Sequence, residues 1–183
     1  MLWQQLGGST QAGKGVKIAI LDNGIAIDHP MFDDSTFVYP TGYPKGDARY
    51  TTPKVIASRA YFRPTDPPLA GEGTPLPGPL SSGHGTHLAG IAGGNPVTAQ
   101  YGAVSQSISG VAPRAWLMNY RIFYPAADGE MAYSAEILQA IEDAVLDGAN
   151  VLCAGWSTIS PESVFDSPLA EALENAMDAG CIV

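Results

Sequence analysis

The sequence predicts an α/β fold in which a parallel sheet carries helices on both faces. Short apolar runs recur along the chain, and segments with apolar residues at helical spacing lie between them. Continuous apolar runs are typical of strands buried on both faces, and alternation of strands with helices is typical of parallel sheets. The predicted strands are residues 16–22, 115–123 and 150–156, with another beginning at 181–183, and the predicted helices are residues 85–94, 134–148 and 167–180.

The first strand, VKIAILD at residues 16–22, ends in an acidic residue, Asp22. The turn-forming dipeptide Asn23-Gly24 then interrupts the apolar run. In open parallel sheets the functional side chains collect at the carboxyl ends of the strands, which makes Asp22 a candidate site residue. Asp-Asn-Gly is also favourable turn chemistry, so these residues alone leave a purely structural role for Asp22 equally open.

Residues 39–80 are rich in proline and glycine and contain nine of the 15 prolines of the chain. Proline fixes the backbone and lacks an N–H donor, so such a composition favours loops over regular elements. We therefore predict a long surface loop here, inserted into a single domain, with a possible strand at residues 54–62.

The segment SSGHGTHLAG, residues 81–90, contains two histidines, His84 and His87. The small residues that follow predict a closely packed helix. A zinc site is disfavoured, because it would need further ligands and the chain lacks the His-Glu-x-x-His pattern. His84 instead suits a general base whose tautomer is held by a carboxylate such as that of Asp22, whereas His87 is predicted to be a hydrogen-bonded packing residue.

The two later helices carry boundary signals of their own. Ser134 is the predicted N-cap of the first, and Gly148 is its predicted stop. Ser167 is the predicted N-cap of the second, with Pro168 in its first turn and Gly180 after its end.

Length, charge and cysteine content exclude several classes of protein. A chain of 183 residues fits one domain, and a net charge of −9 argues against a nucleic-acid partner. No stretch approaches the roughly 20 apolar residues of a membrane-spanning helix. The N-terminal residues lack the basic and apolar regions of a signal peptide, so an export leader is expected only upstream of this chain. Cys153 and Cys181 lie in apolar runs and are predicted to be buried free thiols.

Two separated motifs resemble those of the subtilisin-like serine proteases, the subtilases. They are GKGVKIAILDNGIAIDHPMF and SGHGTHLAGIAGG, and the segments GVAPRAWLMNYRIF and SAEILQAIEDAVLDGANVL resemble later parts of the same family. The resemblance implies a subtilisin-like fold and a secreted endopeptidase that hydrolyses peptide bonds with an Asp-His-Ser triad. It implies that Asp22 is the orienting carboxylate and that His84 is the general base.

The serine of that triad is not found. Subtilases carry it in a Gly-Thr-Ser motif, and no Gly-Thr-Ser occurs in this chain. Ser81, Ser82 and Ser157 are disfavoured as substitutes, because a nucleophile needs a fixed contact with the base and nearby oxyanion donors. We therefore expect residues 1–183 to be the N-terminal portion of a peptidase domain, inactive alone. The alternative is a non-catalytic pseudo-protease or peptide-binding module on the same scaffold.

The resemblance also implies two substrate-binding edges. One is the loop DGEM at residues 128–131, and the other follows the strand that ends near residue 156. Trp156 is either a pocket wall or a residue packed under a loop, and the residues leave both open. The predicted substrate-binding residues are Gly129, Glu130, Met131, Gly155, Trp156 and Ser157.

The expected cofactors and partners follow from the same resemblance and its departures. No metal ligand is predicted, because Met31 follows His29-Pro30 where small bacterial members have an aspartate ligand, and residues 95–109 replace a calcium loop. Calcium stays possible elsewhere, for example at Asp33 and Asp34. The expected partners are a peptide or protein substrate, the missing C-terminal half of the domain and, through an exposed sheet edge, a second copy of the chain, but neither nucleic acid nor a membrane.

Overall fold

The structure is a computed structural model and describes residues 2–127, 129–157 and 167–183. Two short 3-10 helices span Pro30–Phe32 and Ala48–Tyr50. The α-helices are α1 (Leu2–Gln5), α2 (His84–Gly93), α3 (Ser134–Leu146) and α4 (Pro168–Asp178). The strands are β1 (Lys17–Asp22), β2 (Lys45–Gly46), β3 (Val55–Ala60), β4 (Val97–Tyr101), β5 (Val104–Ile108), β6 (Trp116–Arg121), β7 (Tyr124–Ala126), β8 (Gly129–Met131) and β9 (Val151–Cys153).

A five-stranded parallel sheet forms the centre of the fold, in the order β2-β3-β6-β1-β9. The predicted apolar runs supply β1, β6 and β9, and the possible strand at residues 54–62 is present as β3. Beyond β9, Ile182 forms a single parallel bridge to Val151, where another strand was expected to begin. The register of β1 and β6 pairs Asp22 with Arg121 at the end of both strands, so the two charged residues mark one edge of the sheet.

Helices cover both faces of the sheet, as the sequence predicts. Alternate side chains of a strand point to opposite faces. Ala19 and Leu21 of β1 belong to a core cluster shared with α3 and α4. Ile18 and Ile20 belong to a second cluster that includes Ala89 of α2. The runs are apolar throughout because both faces of these strands are buried.

Helix ends differ slightly from the sequence prediction. The N-cap of α3 is Tyr133 and not Ser134, because Tyr133 has extended backbone angles and its carbonyl accepts a hydrogen bond from Ile137. Ser167 is the N-cap of α4, with Pro168 in the first turn, although its side chain makes no capping hydrogen bond. Gly148 has a positive φ of 86°, the left-handed conformation that ends helices.

Region 39–80 includes buried residues in addition to the strand that was predicted within it. It contains β2 and β3, and two of its charged side chains, Lys54 and Glu72, are fully buried. Lys54 Nζ donates to the carbonyls of Pro113 and Ala115 at 2.9 and 2.7 Å. Buried charges require partners, so the segments around these residues are held against the sheet and not left in solvent.

Two antiparallel hairpins lie outside the main sheet. The first joins β4 and β5, whose residues are largely exposed. The second joins β7 and β8, so residues 129–131 form an edge strand where a loop was predicted. No helix in the described ranges is long and apolar enough to cross a membrane.

The two cysteines differ in exposure. Cys181 is buried, as predicted, whereas Cys153 at the end of β9 is only half-buried. Both thiols are free, and burial raises the pKa of each. They therefore stay largely protonated near neutral pH, which makes them poor nucleophiles.

Candidate active site

Asp22 and His84 meet at the carboxyl edge of the sheet. His84 Nδ1 lies 2.9 and 3.0 Å from the two carboxylate oxygens of Asp22. The Asp22 side chain is 3% exposed and the His84 side chain is 48% exposed. A carboxylate only accepts hydrogen bonds, so Nδ1 is the donor in this contact, and in the neutral form of the ring the lone pair lies on Nε2. This arrangement gives a base that is oriented from inside the protein and open to a reactant outside it.

The end of β1 holds the Asp22 carboxylate in place. The Asn23 backbone N–H donates to Asp22 Oδ1 at 2.8 Å. The Asp22 carbonyl accepts from the N–H of Ile122 at 2.8 Å, which continues the pairing with β6. Both the side chain and the backbone of Asp22 are therefore fixed by hydrogen bonds.

Asn23 joins this strand end to the start of α2. Its Oδ1 accepts from the N–H of Gly85 at 2.8 Å, and its Nδ2 donates to Ser82 Oγ at 2.8 Å and to Glu130 Oε1 at 3.1 Å. The N-cap of α2, Gly83, has no side chain to cap the helix, so Asn23 supplies the acceptor from another element. The helix that begins with His84 is thereby held against β1.

Gly85 allows this close approach. A Cβ atom at Gly85 would lie 2.7 Å from the Gly24 carbonyl oxygen and 3.0 Å from Asp22 Cβ. Contacts this short are repulsive, so any side chain there would separate α2 from the end of β1. The small residue is needed for the distance between Asp22 and His84.

A buried ion pair organises the segment that leads to His84. Arg121 Nη2 donates to Glu72 Oε2 at 2.5 Å, and both side chains are 0% exposed. Arg121 Nη1 donates to the carbonyls of Glu72, Thr74 and Leu76 at 2.8, 2.8 and 2.5 Å. Glu72 in turn accepts from the N–H of Leu80 at 2.8 Å. The backbone from residue 72 to residue 80 therefore wraps around one carboxylate and one guanidinium.

The Glu72 carboxyl stays ionised in this setting. Burial would raise its pKa, but the hydrogen bonds from the Leu80 N–H and from Arg121 outweigh it, so the pKa of Glu72 lies below its ordinary value. Arg121 also donates to Ser81 Oγ at 3.0 Å, close to the start of α2. Sequence reasoning missed this pair, since a lone acidic residue among glycines and prolines resembles a solvated loop residue.

A pocket of about 160 Å³ opens beside His84. Two predicted substrate-binding residues, Glu130 and Trp156, line it. Phe123, Asn23 and Ser82 line it too, although sequence reasoning did not single them out as substrate-binding residues. The full lining is Asp22, Asn23, Ser82, His84, Phe123, Glu130 and Trp156.

The other predicted substrate-binding residues do not line this pocket. Gly129 and Ser157 are exposed, and Met131 is half-buried in β8. Gly155 is exposed and lies against Leu88, since a Cβ there would meet Leu88 Cδ1 at 2.5 Å. Asp128 of the predicted DGEM loop falls outside the described residues.

Serine hydroxyls near His84 are engaged elsewhere. Ser82 Oγ accepts from Asn23, and Ser81 Oγ contacts Arg121 and Glu72. Across residues 2–127, 129–157 and 167–183, no serine hydroxyl is hydrogen-bonded to His84. His87, predicted to be a packing residue, is exposed because its position on α2 faces away from β1.

The described residues contain no group of three or more His, Cys, Asp or Glu side chains arranged to hold a metal ion. At the suggested alternative calcium position, the Asp33 carboxylate is bonded to the hydroxyl of Ser35 at 2.8 Å and to its N–H at 3.1 Å. These hydrogen bonds lower the pKa of Asp33. The donor sets here do not fit calcium, and no step of the chemistry is assigned to it.

The sequence of this chain is similar to those of known proteases. A model of the subtilase family matches residues 13–183. Subtilisin-like protease SBT2.1 of Arabidopsis thaliana is 31% identical over 206 aligned residues, which cover 99% of this chain and 24% of that protein. Minor extracellular protease Vpr of Bacillus subtilis is 34% identical over 172 aligned residues, which cover 93% of this chain and 17% of that protein. The chain spans 24% or less of the length of these two relatives.

Proposed function

Because the chain belongs to the subtilase family, we propose that it supplies the carboxylate and the imidazole of a serine endopeptidase. The observation that carries the proposal is the contact between His84 Nδ1 and the Asp22 carboxylate at 2.9 Å. A buried acid paired with a half-exposed imidazole is the arrangement that general-base catalysis requires.

In this proposal, His84 Nε2 takes the proton of a serine hydroxyl as the serine oxygen attacks the carbonyl carbon of the scissile peptide bond. The imidazolium that forms is stabilised by Asp22, which keeps its own charge. When the tetrahedral intermediate collapses, His84 gives the proton to the leaving amine, and the acyl-enzyme is then hydrolysed by water in the same way. The ring returns to its starting tautomer, held by the same carboxylate.

The serine and the oxyanion donors of this reaction are proposed to come from sequence outside this chain. The support is the absence of a Gly-Thr-Ser motif within it and the small share of each relative that it spans. Residues 1–183 alone are therefore proposed to be inactive, since loss of the nucleophile and the oxyanion donors together leaves little catalysis.

Substrate is proposed to bind as an extended strand between the β8 edge, residues 129–131, and residues 155–157. Backbone hydrogen bonds to such edges give affinity, while pockets give side-chain preference. Glu130 from the β8 edge and Trp156 from the other edge both line the pocket beside His84, which supports substrate binding between the two edges. By analogy with Vpr, whose name describes an extracellular protease, the protein is proposed to act outside the cell.

Active-site variants of the full-length protein test the proposal. We expect Asp22→Asn to lower kcat on a peptide substrate by about 10⁴-fold, because the base loses its orientation, and His84→Ala by about 10⁶-fold, because the base is removed. His87→Ala is the matched control, since this exposed histidine does not contact Asp22, and it should keep wild-type kcat. An Asp22→Asn enzyme within tenfold of wild type would contradict the assignment.

Labelling with a fluorophosphonate, which reacts with an activated serine, separates the peptidase from the non-catalytic alternative. Labelling that depends on His84 supports the peptidase. A folded full-length protein that neither reacts with the probe nor cleaves peptides would be a pseudo-protease.

A further inference from the structure

The pocket beside His84 combines aromatic walls with negative charge. Phe123 and Trp156 are its aromatic residues, and Asp22 and Glu130 are its carboxylates. None of the described residues that line it is a lysine or an arginine. Aromatic faces and carboxylates together attract a cation on a long apolar stem. The pocket contains His84 itself, so any side chain that fills it belongs to a residue close to the scissile bond.

Glu130 is the carboxylate that is free to act on a ligand. Asp22 is buried and paired with His84, whereas Glu130 is exposed on β8. Glu130 Oε1 accepts from Asn23 Nδ2, and its Oε2 has no hydrogen-bond partner among the residues the structure describes. The neighbouring cation at this sheet edge, Arg121, is fully buried and paired with Glu72, so it does not neutralise Glu130.

The position of Glu130 is fixed on both sides. It pairs with Pro125 of β7, whose residues are all buried, and the hydrogen bond from Asn23 aims its carboxylate at the pocket. A charge held by a strand and by a side-chain contact loses little conformational freedom when a ligand arrives.

We propose that Glu130 makes this pocket selective for a lysine or arginine side chain next to the scissile bond, an inference that rests on the proposed peptidase function. The cationic group meets Glu130 Oε2, and the aliphatic stem lies against Phe123 and Trp156. Neutral side chains of the same length gain only the aromatic contacts. The difference in kcat/KM between a peptide with a cationic side chain and one with a neutral side chain of equal length therefore measures the contribution of the Glu130 carboxylate.

Glu130→Gln in the full-length protein tests the selectivity. The test uses a peptide series with arginine, or its neutral isostere citrulline, at each position flanking the cleaved bond. We expect the wild type to favour arginine over citrulline in kcat/KM by about fivefold at one position, with a smaller ratio at high salt, as for a partly exposed ion pair. Glu130→Gln keeps the acceptor for Asn23 and should reduce that ratio to about one. Glu142→Gln, which removes an exposed charge from α3, should leave it unchanged.

A binding measurement gives a readout that does not need turnover. Acetyl-argininamide and acetyl-citrullinamide are titrated into the full-length protein while the NMR signals of His84 and of the Trp156 indole are followed. Tighter binding of the arginine compound in the wild type, lost in Glu130→Gln, supports the proposal. Equal affinity for the two compounds overturns it. If His84→Ala abolishes cleavage but the arginine ratio is unaffected by Glu130→Gln, the peptidase assignment stands and only the selectivity fails.

Discussion

Replacement of Arg121 by methionine should release the segment that leads into the active site. Arg121→Met keeps the apolar stem of the side chain but removes six donor contacts: four to the carbonyls of residues 72, 74, 76 and 123, one to Glu72 Oε2 and one to Ser81 Oγ. The Glu72 carboxylate would then stay buried without a counter-charge. Removal of one partner from a buried ion pair costs about 3–5 kcal/mol.

That free energy sets the size of the effect on local opening. It corresponds to about a 10²- to 5 × 10³-fold increase in the population in which residues 72–82 detach from the sheet. Glu72→Gln should have a smaller effect, since a glutamine can still accept from Leu80 and Arg121 keeps its carbonyl acceptors. A larger increase in local opening in Arg121→Met than in Glu72→Gln would show that Arg121 is the partner that organises the segment.

Hydrogen–deuterium exchange of the peptide that contains Gly78 and Leu80 measures this opening in the full-length protein. Both N–H groups donate to Glu72, so their protection reports the ion pair directly. Arg49→Met is the matched control, because Arg49 pairs with Asp47 on the surface with its own side chain 80% exposed, and it should leave the exchange unchanged. Exchange in Arg121→Met within tenfold of wild type would refute the view that the pair holds this segment.

Two further predictions concern a buried lysine and a close glycine contact. Burial and the Arg114 guanidinium lower the pKa of Lys54 to about 7. Between pH 7 and 9 the Lys54 amine therefore holds a proton in the unfolded chain but loses it in the folded chain. The melting temperature should rise with pH over this range, because the unfolded state binds more protons. Lys54→Met should flatten that rise, and identical slopes in the two proteins would contradict it. Gly85→Ala would place a Cβ atom 2.7 Å from the Gly24 carbonyl oxygen. We expect the His84 ring to lose its contact with Asp22, which would change the NMR spectrum of the imidazole, and we expect catalysis to fall. Gly73→Ala is the control, because a Cβ there would meet only Pro68 at 4.0 Å, and it should change neither the imidazole spectrum nor the activity. An unaltered spectrum in Gly85→Ala would contradict the steric argument.

The strands and helices were predictable because their signals are local. An apolar run such as VKIAILD indicates a buried strand without reference to the rest of the chain. The carboxyl-edge position of Asp22 followed from that strand, whereas its pairing with His84 was implied only by the resemblance of the two motifs to those of subtilases. The start of α3 was misplaced by one residue, because the extended backbone of Tyr133 makes it the cap and its carbonyl accepts the first hydrogen bond, from Ile137. Helix ends depend on such local geometry more than on residue type.

The contents of region 39–80 were not predictable from composition. Glu72 is buried because Arg121, 49 residues further along the chain, meets it at the sheet edge. Lys54 is buried because two carbonyls beyond residue 112 face it. In each case the partner is distant in sequence, so proline and glycine content indicated irregular backbone correctly but gave no indication of which side chains it buries.

Asn23 shows how one departure from the family pattern is tied to another residue of the site. The subtilase pattern that this chain resembles usually has Ser, Thr or Asp at the position of Asn23, directly after the residue that matches Asp22. An aspartate here could accept from the Gly85 N–H, but it would place a second negative charge against Glu130, 3.1 Å from the present amide nitrogen. A serine or threonine is too short to reach Gly85, Ser82 and Glu130 at once. The Asn23 amide accepts a hydrogen bond from the Gly85 N–H and donates one to Glu130. It therefore holds α2 against β1 while it also contacts the acidic side chain that lines the pocket.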